Sequence, residues 1–204
     1  VNIKNLKMHF PIKKGLLQRT VGYVKAVDGI NLRIYRGETL GLVGESGSGK
    51  TTLGRCISRI YEPTGGSITF KGQEIVGLSE KHFRPLRRKI SMIFQDPYGS
   101  LDPRQSAGSI VGDPIKIHRL INNKIDYHNR IEELFNTVGL HPSMINRVPH
   151  EFSGGQRQRI GVARSLACDS SLIICDEPVS ALDVSIQAQI INLFLELQET
   201  IDGL

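Results

Sequence analysis

The chain has 204 residues, 39% of them apolar and 23% charged, which suits one soluble globular domain with a substantial core and room for an inserted subdomain. No apolar run approaches the roughly 20 residues that span a bilayer, so any membrane role is expected to come through partners. A net charge of +6 fits binding of polyphosphate, an acidic partner or simple solubility, and the sequence holds no low-complexity tract or repeat.

The opening Val1-Asn2-Ile3-Lys4 alternates apolar and polar and reads as a strand rather than a targeting segment. Val1 in place of Met points to a start inside a longer reading frame. Leu6, Met8 and Phe10 continue the alternation, and Ile30, Leu32 and Ile34 repeat it against Asn31, Arg33 and Tyr35. These spacings predict two half-buried antiparallel strands, separated by the basic, Gly-containing residues 11–22. Arg36-Gly37-Glu38 is the turn into Thr39-Leu40-Gly41-Leu42-Val43, a short apolar strand. After a glycine loop, Leu53, Ile57 and Ile60 fall at helical spacing and predict a helix that Lys50 opens and that ends before Pro63. Residues 67–70 with Lys71-Gly72 predict a hairpin strand and its turn, and residues 90–94 another apolar strand, ending at Gln95.

From Asp96 to about Arg147 the chain turns rich in Pro, Gly, Asn and polar residues. One helical stretch stands out there, with Ile131, Leu134, Phe135 and Val138 on a common face, so this region reads as a mostly helical insertion. Ser153 caps a helix carrying Ile160, Ala163 and Leu166. Leu172-Ile173-Ile174-Cys175 is an apolar strand, followed by a helix with Ile186, Ile190, Leu193, Phe194 and Leu197 on one face. Alternating strands and helices predict an α/β sheet. Cys56, Cys168 and Cys175 are far apart and set among apolar neighbours, so they are expected to be small buried hydrophobes rather than a disulfide framework or metal site. Arg84, Arg87, Arg88 and Lys89 form the densest basic piece; without interleaved aromatics they read as a solvated helix face, not a nucleic-acid site.

Three motifs carry chemistry. In Gly44-Glu45-Ser46-Gly47-Ser48-Gly49-Lys50-Thr51, glycines let successive backbone N–H groups curl around phosphate oxygens, and the following helix start adds partial positive charge. Lys50 reaches the β- and γ-phosphates and the Thr51 hydroxyl ligates Mg²⁺, with Thr52 beside it in the same helix turn. Asp176 and Glu177 sit at the carboxyl end of a buried strand, where ligands of open α/β sheets bind. A charge there needs a partner, which Mg²⁺ supplies for Asp176, and Glu177 can polarise the water that attacks a γ-phosphate. Ser153-Gly154-Gly155-Gln156 is, alone, equally well an N-cap with a glycine turn. Its hydroxyl and bare amides at a helix start are nonetheless an anion site, serving either the same nucleotide or one bound mainly by a partner subunit.

In this order, the three motifs resemble those of ATP-binding cassette (ABC) ATPases over essentially the whole chain. The resemblance implies a P-loop core formed by residues 1–95 and 166–204, with an N-terminal antiparallel β subdomain and a helical subdomain at residues 96–165 that carries the signature Ser153-Gly154-Gly155-Gln156. It implies head-to-tail pairing with a second cassette, identical or different, around two ATP molecules. It places Gln95 at the Q-loop, contacting Mg²⁺ and sensing the γ-phosphate, and Ser180-Ala181-Leu182-Asp183 at the D-loop, which crosses the dimer interface. An aromatic that stacks on adenine is expected near the N-terminal strand: Phe10 fits best by its distance from the opening strand, with Tyr23 as competitor and a core role for Phe10 equally open.

A finer resemblance is to the ATP-binding subunits of bacterial oligopeptide and dipeptide importers. Phe94-Gln95-Asp96-Pro97-Tyr98-Gly99-Ser100-Leu101-Asp102-Pro103-Arg104 is similar to their extended Q-loop segment, Pro149-His150-Glu151-Phe152 to the approach to Ser153, and Phe10-Pro11-Ile12 to their N-terminal segment. The implied function is ATP hydrolysis driving peptide uptake, with membrane-spanning permease subunits and, indirectly, a peptide-binding protein as partners. No nucleic acid is implied, and the place is the cytoplasmic face of a bacterial or archaeal membrane. Importers of nickel or other small solutes and non-transport ABC ATPases are the alternatives. One departure stands out: the family's switch histidine lies beyond the D-loop helix, whereas His9, His82, His118, His128, His141 and His150 all precede Asp176. A C-terminally truncated cassette is expected, one that binds Mg·ATP and hydrolyses it slowly.

Overall fold

The computed structural model describes residues 1–16, 18–96, 99–180 and 182–200. They form two compact units, Val1–Pro85 and Leu86–Leu204.

The first unit is built on a long ribbon. Strands β1 (Asn2–Lys14) and β2 (Arg19–Arg33) pair antiparallel, and β1 also pairs with β3 (Gly65–Phe70), which turns into the short β4 (Gln73–Glu74). The sheet order is β2-β1-β3-β4. At the β3–β4 turn Lys71 and Gly72 both have positive φ, 48° and 82°, the signature of the primed turns whose twist matches the flanking strands. Helix α1 (Lys50–Ile57) contributes Leu53, Cys56 and Ile57 to a core shared with Ile3, Leu6, Val27, Ile68 and Phe70. Burial, with Glu62 adding like charge, pushes the Cys56 thiol up to about 11, so it stays protonated and inert. Helix α2 (Glu80–Arg87) seats Phe83 under the Arg59 guanidinium, 4.7 Å from its ring centre.

Three expectations are corrected in this unit. Residues 11–22 do not separate two strands; most of them extend the ribbon, and Phe10↔Val24 through Lys14↔Arg19 stay in register. Register shifts, one of them between Ile12 and Lys13, break the alternation that sequence reading relies on. Helix α1 stops at Ile57 because Arg59 turns to φ 54°, and Ile60 is left exposed. Residues 39–43 form no strand, although their composition suits one. Leu40 and Leu42 are exposed and Val43 is fully so. A strand exists only through a hydrogen-bonded neighbour, and among the described residues no strand pairs with this segment.

In the second unit β5 (Ile90–Ile93) pairs in parallel with β6 (Leu172–Cys175), Ile90 opposite Leu172 and Ile93 opposite Cys175. Between them run α3 (Ala107–Ile117), α4 (Lys124–Thr137), two short 3-10 turns and α5 (Gly154–Leu166), and α6 (Val184–Thr200) follows β6. One apolar core joins these elements. Val111 and Ile115 of α3, Leu134 and Phe135 of α4, Ile160 and Ala163 of α5, and Leu193 of α6 all meet in it. The face foreseen for α4 is the buried one. Helix α3 is an addition: its Gly108, Gly112 and Pro114 mask the helical pattern in the sequence. A hydroxyl relay ties β5 to the end of α5, with Ser91 Oγ donating to the Ser165 carbonyl at 3.0 Å and meeting Ser170 Oγ at 2.7 Å. Cys168 is buried as expected, whereas Cys175 is exposed, because the two-stranded sheet leaves the end of β6 uncovered. Arg84, Arg87 and Arg88 are exposed, in keeping with a solvated face. No helix among the described residues is long and apolar enough to cross a membrane.

Phe135 is fully buried, so Phe135→Ala should cost about 3–5 kcal/mol through lost transfer energy and an unfilled cavity. The exposed Ile125→Ala should stay within about 0.5 kcal/mol of the parent. Urea unfolding midpoints of the two variants check both values.

Candidate functional site

In the first unit the glycine loop is exposed and runs into α1. Ser48 N–H donates to the Glu45 carbonyl at 3.2 Å, closing a turn inside the loop. Gly47 and Gly49 take φ of 81° and 94°, a region costly for residues with a side chain. Gly49 carries a second constraint: a Cβ there would lie 2.2 Å from the Ala26 carbonyl oxygen. The backbone of β2 therefore backs the loop with no space for a methyl group. Lys50 Nζ folds back to donate to the carbonyls of Gly44, at 2.7 Å, and Glu45, at 2.8 Å, bracing the ring of amides that starts α1. Helix α1 has neither a side-chain cap nor an acidic residue in its first turn. Its partial positive charge is not neutralised from within, which suits an incoming anion. Thr51 and Thr52 lie half-buried in that first turn.

In the second unit, parallel pairing of β5 with β6 brings together residues far apart in sequence. The ladder continues one step past the strands: Asp176 N–H donates to the Ile93 carbonyl at 2.9 Å, leaving Asp176 only 7% exposed. Directly beyond, Gln95 Nε2 donates to Glu177 Oε2 at 2.7 Å. Glu177 adopts φ 46°, unusual for a residue with a side chain and characteristic of functional turns. Its carbonyl accepts from the Ser180 amide, at 3.2 Å, and from Ser180 Oγ, at 3.1 Å. Asp183 is exposed at the start of α6 and its carbonyl accepts from the amides of Ile186 and Gln187, both at 2.9 Å. Gln187 Nε2 in turn donates to the Val179 and Leu182 carbonyls, each at 3.0 Å, pinning the turn before α6. Ala181 of the D-loop quartet and Pro97-Tyr98 of the Q-loop segment lie outside the described residues.

Ser153 caps α5 as its sequence promised. The Gln156 amide donates to Ser153 Oγ at 3.3 Å, and Gln156 Oε1 accepts from the Ser153 amide at 3.0 Å, a reciprocal capping box. The two glycines also have a packing reason. A Cβ on Gly155 would sit 2.6 Å from Ile186 Cγ2, and one on Gly154 would sit 3.3 Å from Leu182 Cδ2. The start of α5 thus packs against the turn that follows Glu177. A residue that sequence reading missed is Arg164, whose Nη1 donates at 2.6 Å to the carbonyl of Ser100. Burial lowers its pKa against the opposing pull of Asp113. It ties the segment after Gln95 to α5, and its only signal in the sequence was a cation within the apolar stretch Ile160–Leu166.

Phe10 is half-buried and meets Tyr61 edge-on, ring centres 5.4 Å apart at 82°. Tyr23 pairs with Pro11, next in line, so the two aromatics occupy opposite faces of the ribbon, and Tyr23 is 61% exposed. Among the described residues no three His, Cys, Asp or Glu side chains converge as a metal cage. The Asp176 carboxylate and the Gln95 amide oxygen of the second unit, and separately the Thr51 hydroxyl of the first, are each hard oxygen donors, the chemistry that Mg²⁺ prefers.

Residues 27–180 match the ABC transporter family. The chain is 56% identical over 200 residues to the oligopeptide transport ATP-binding protein AppF of Bacillus subtilis, covering 98% of this chain and 60% of that protein. It is 48% identical to the oligopeptide transport ATP-binding protein OppF of Salmonella typhimurium, with 97% of this chain and 60% of that protein covered. It is 52% identical to the glutathione import ATP-binding protein GsiA of Escherichia coli, over 97% of this chain and 32% of that protein. The chain therefore spans about 60% of the length of the two oligopeptide transport relatives. Among solved structures, the ATP-binding cassette MJ0796, a dimer bound to ADP and Pi, superimposes with a TM-score of 0.85 at 29% identity, over 99% of this chain and 84% of that one. The fold is thus that of an ABC cassette, with an antiparallel N-terminal sheet and mixed helices and strands.

Gly49→Ala should both melt earlier and lose more than tenfold in affinity for a triphosphate nucleotide, because neither φ 94° nor the 2.2 Å approach tolerates a methyl group. Thermal melting and nucleotide titration of the variant check the two effects.

Proposed function

The chain belongs to the ABC transporter family, and on that premise we propose that it is the ATP-binding and ATP-hydrolysing part of an importer of short peptides. The observation that carries the reading is the meeting of Gln95 and Glu177 at 2.7 Å, beside the buried Asp176, where the parallel strands β5 and β6 end. Oligopeptides are favoured as the solute because two of the relatives above are named for their transport and the third for import of glutathione, itself a small peptide.

Phosphoryl transfer to water asks the protein for positioning and charge stabilisation more than for covalent chemistry. The backbone N–H groups of the glycine loop and the uncapped start of α1 donate to the β- and γ-phosphates, and Lys50 leaves its two carbonyl acceptors to follow the developing charge. Asp176 and Gln95, with the Thr51 hydroxyl as a further expected donor, are the residues that would hold Mg²⁺, which would supply neutralisation of phosphate charge. Glu177 carries the acceptor oxygen that aligns or deprotonates the attacking water. Gln95 already grips that carboxylate, and a new contact of Gln95 toward the γ-phosphate would release it. This makes Gln95 a sensor that couples nucleotide arrival to the freedom of the base. Ser153, Gly154, Gly155 and Gln156 offer a second helix start to a nucleotide held by another cassette, and Asp183 stands near the turn that faces it across the pair. Phe10 is the proposed adenine platform, Tyr61 bracing its edge. Work on a membrane solute calls for permease subunits, a second cassette and a peptide-binding protein, and locates the protein at the inner surface of the membrane through those partners.

Glu177→Gln should retain ATP binding while turnover falls about a hundredfold or more. Phosphate release and nucleotide titration measure the two, and undiminished turnover would place the base elsewhere. Ser153→Arg should suppress hydrolysis yet leave ATP affinity of the isolated monomer nearly unchanged. A monomer that no longer binds would mean that Ser153 serves its own nucleotide.

A further inference from the structure

Residues 1–27 contain six Lys and Arg and no Asp or Glu. Six is also the net charge of the whole chain, so the other 177 residues, as the sequence stands, are balanced and the entire excess lies on the N-terminal ribbon. The first carboxylate, Asp28, is already taken by Lys25 Nζ at 3.1 Å and His9 Nε2 at 2.9 Å. Farther out, Lys13, Lys14 and Arg19 have no carboxylate within ion-pair distance among the described residues.

The distal ribbon is also uncovered. Pairing of β1 with β3 ends at Lys7↔Gly65, while pairing of β1 with β2 continues to Lys14↔Arg19. Seven further rungs, Met8↔Val27 to Lys14↔Arg19, therefore run past β3, roughly 20–25 Å at the usual rise per residue. Along them Ile12, Val21 and Tyr23 are exposed, and Leu16, in the turn, is fully exposed. Lys14 and Arg19 stand directly opposite each other, a like-charge pair that weakens a ribbon. A two-stranded hairpin in water is marginal already. Exposed aliphatic groups among unneutralised cations are costly in water, and both costs vanish against one kind of surface.

We propose that the distal β1–β2 ribbon docks on an anionic phospholipid surface, with Lys13, Lys14 and Arg19 on headgroup phosphates and Leu16 at the boundary with the acyl chains. Aliphatic tips insert among acyl chains, whereas single-stranded nucleic acid is gripped by several stacking aromatics and the described ribbon residues expose one, Tyr23. A second copy of the chain would bring cation against cation. The docking is independent of nucleotide chemistry and supplies direct lipid contact in addition to any made through partner subunits.

The chain contains no Trp, so Leu16→Trp gives a single emission reporter at the tip. With vesicles of phosphatidylglycerol and phosphatidylcholine its emission should shift to the blue, and with phosphatidylcholine alone it should not. In co-sedimentation the parent should bind the anionic vesicles and be released by raised salt. The triple variant Lys13→Glu, Lys14→Glu, Arg19→Glu should bind about tenfold less or weaker still, since each cation near an anionic surface counts. Emission unmoved by anionic lipid, or undiminished binding of the triple variant, overturns the proposal. So does equal affinity for a DNA duplex at the same ionic strength, which reassigns the patch to nucleic acid. ATP titration of the same variants should be unchanged, which separates failure of this idea from failure of the ATPase reading.

Discussion

Parallel pairing of β5 with β6 is the constraint on which the second unit depends. Antiparallel neighbours need only a turn, but parallel ones need a crossover long enough to return the chain to the same end. Here residues 94–171 make that return, and α3, α4 and α5 are packed within it. Because Ile93 lies opposite Cys175, the residues just past each strand emerge side by side, and Gln95 can reach Glu177. The serine relay from Ser91 to Ser165 and Ser170 fixes the end of α5 to the same strand. Arg164 then fixes the segment after Gln95 to that helix. The register of four residue pairs thus propagates to both phosphate-related motifs of this unit.

Local strain is concentrated where this register delivers the chemistry. Holding Glu177 at φ 46° costs on the order of 1–2 kcal/mol relative to an ordinary conformation. The turn offsets it with two hydrogen bonds from Ser180 to the Glu177 carbonyl and one from Gln95 to its carboxylate. Asp176, one residue earlier, still continues the ladder. One strand end so yields two carboxylates with different surroundings: Asp176 buried, Glu177 exposed. That difference suits the proposed division of labour between a metal ligand and a base.

Much of this was legible because the informative residues act locally. Residues 67–72 announce a hairpin strand and its turn, Ser153 a helix cap, and Asp176 a strand end, each from chemistry within a few positions. What escaped the sequence depends on distant neighbours. Residues 39–43 have a strand's composition, but composition supplies no partner ladder. Helix α3 hides behind Gly108, Gly112 and Pro114, whose low helix propensity is overridden by packing. Cys175 has the neighbours of a buried residue, yet its exposure is set by how many strands flank β6. Arg164 looked like any helix cation until Ser100 appeared beside it. The two readings of Ser153-Gly154-Gly155-Gln156, cap or anion site, are not rivals in the structure. The same bare glycines that let the amides approach an anion are also demanded by Leu182 and Ile186.

The placement of charge argues for a division between the ends of the first unit. At the loop, positive character comes from backbone amides, a helix start and one lysine braced by carbonyls, a rigid arrangement suited to a ligand of fixed shape. At the ribbon tip, it comes from three long flexible side chains with no carboxylate in ion-pair distance among the described residues. Flexible cations lose more entropy in any single geometry, so they discriminate poorly among shapes and well among surface charge densities. A triphosphate has a shape and a lipid headgroup layer has a charge density, and each end of the unit is built for one of them.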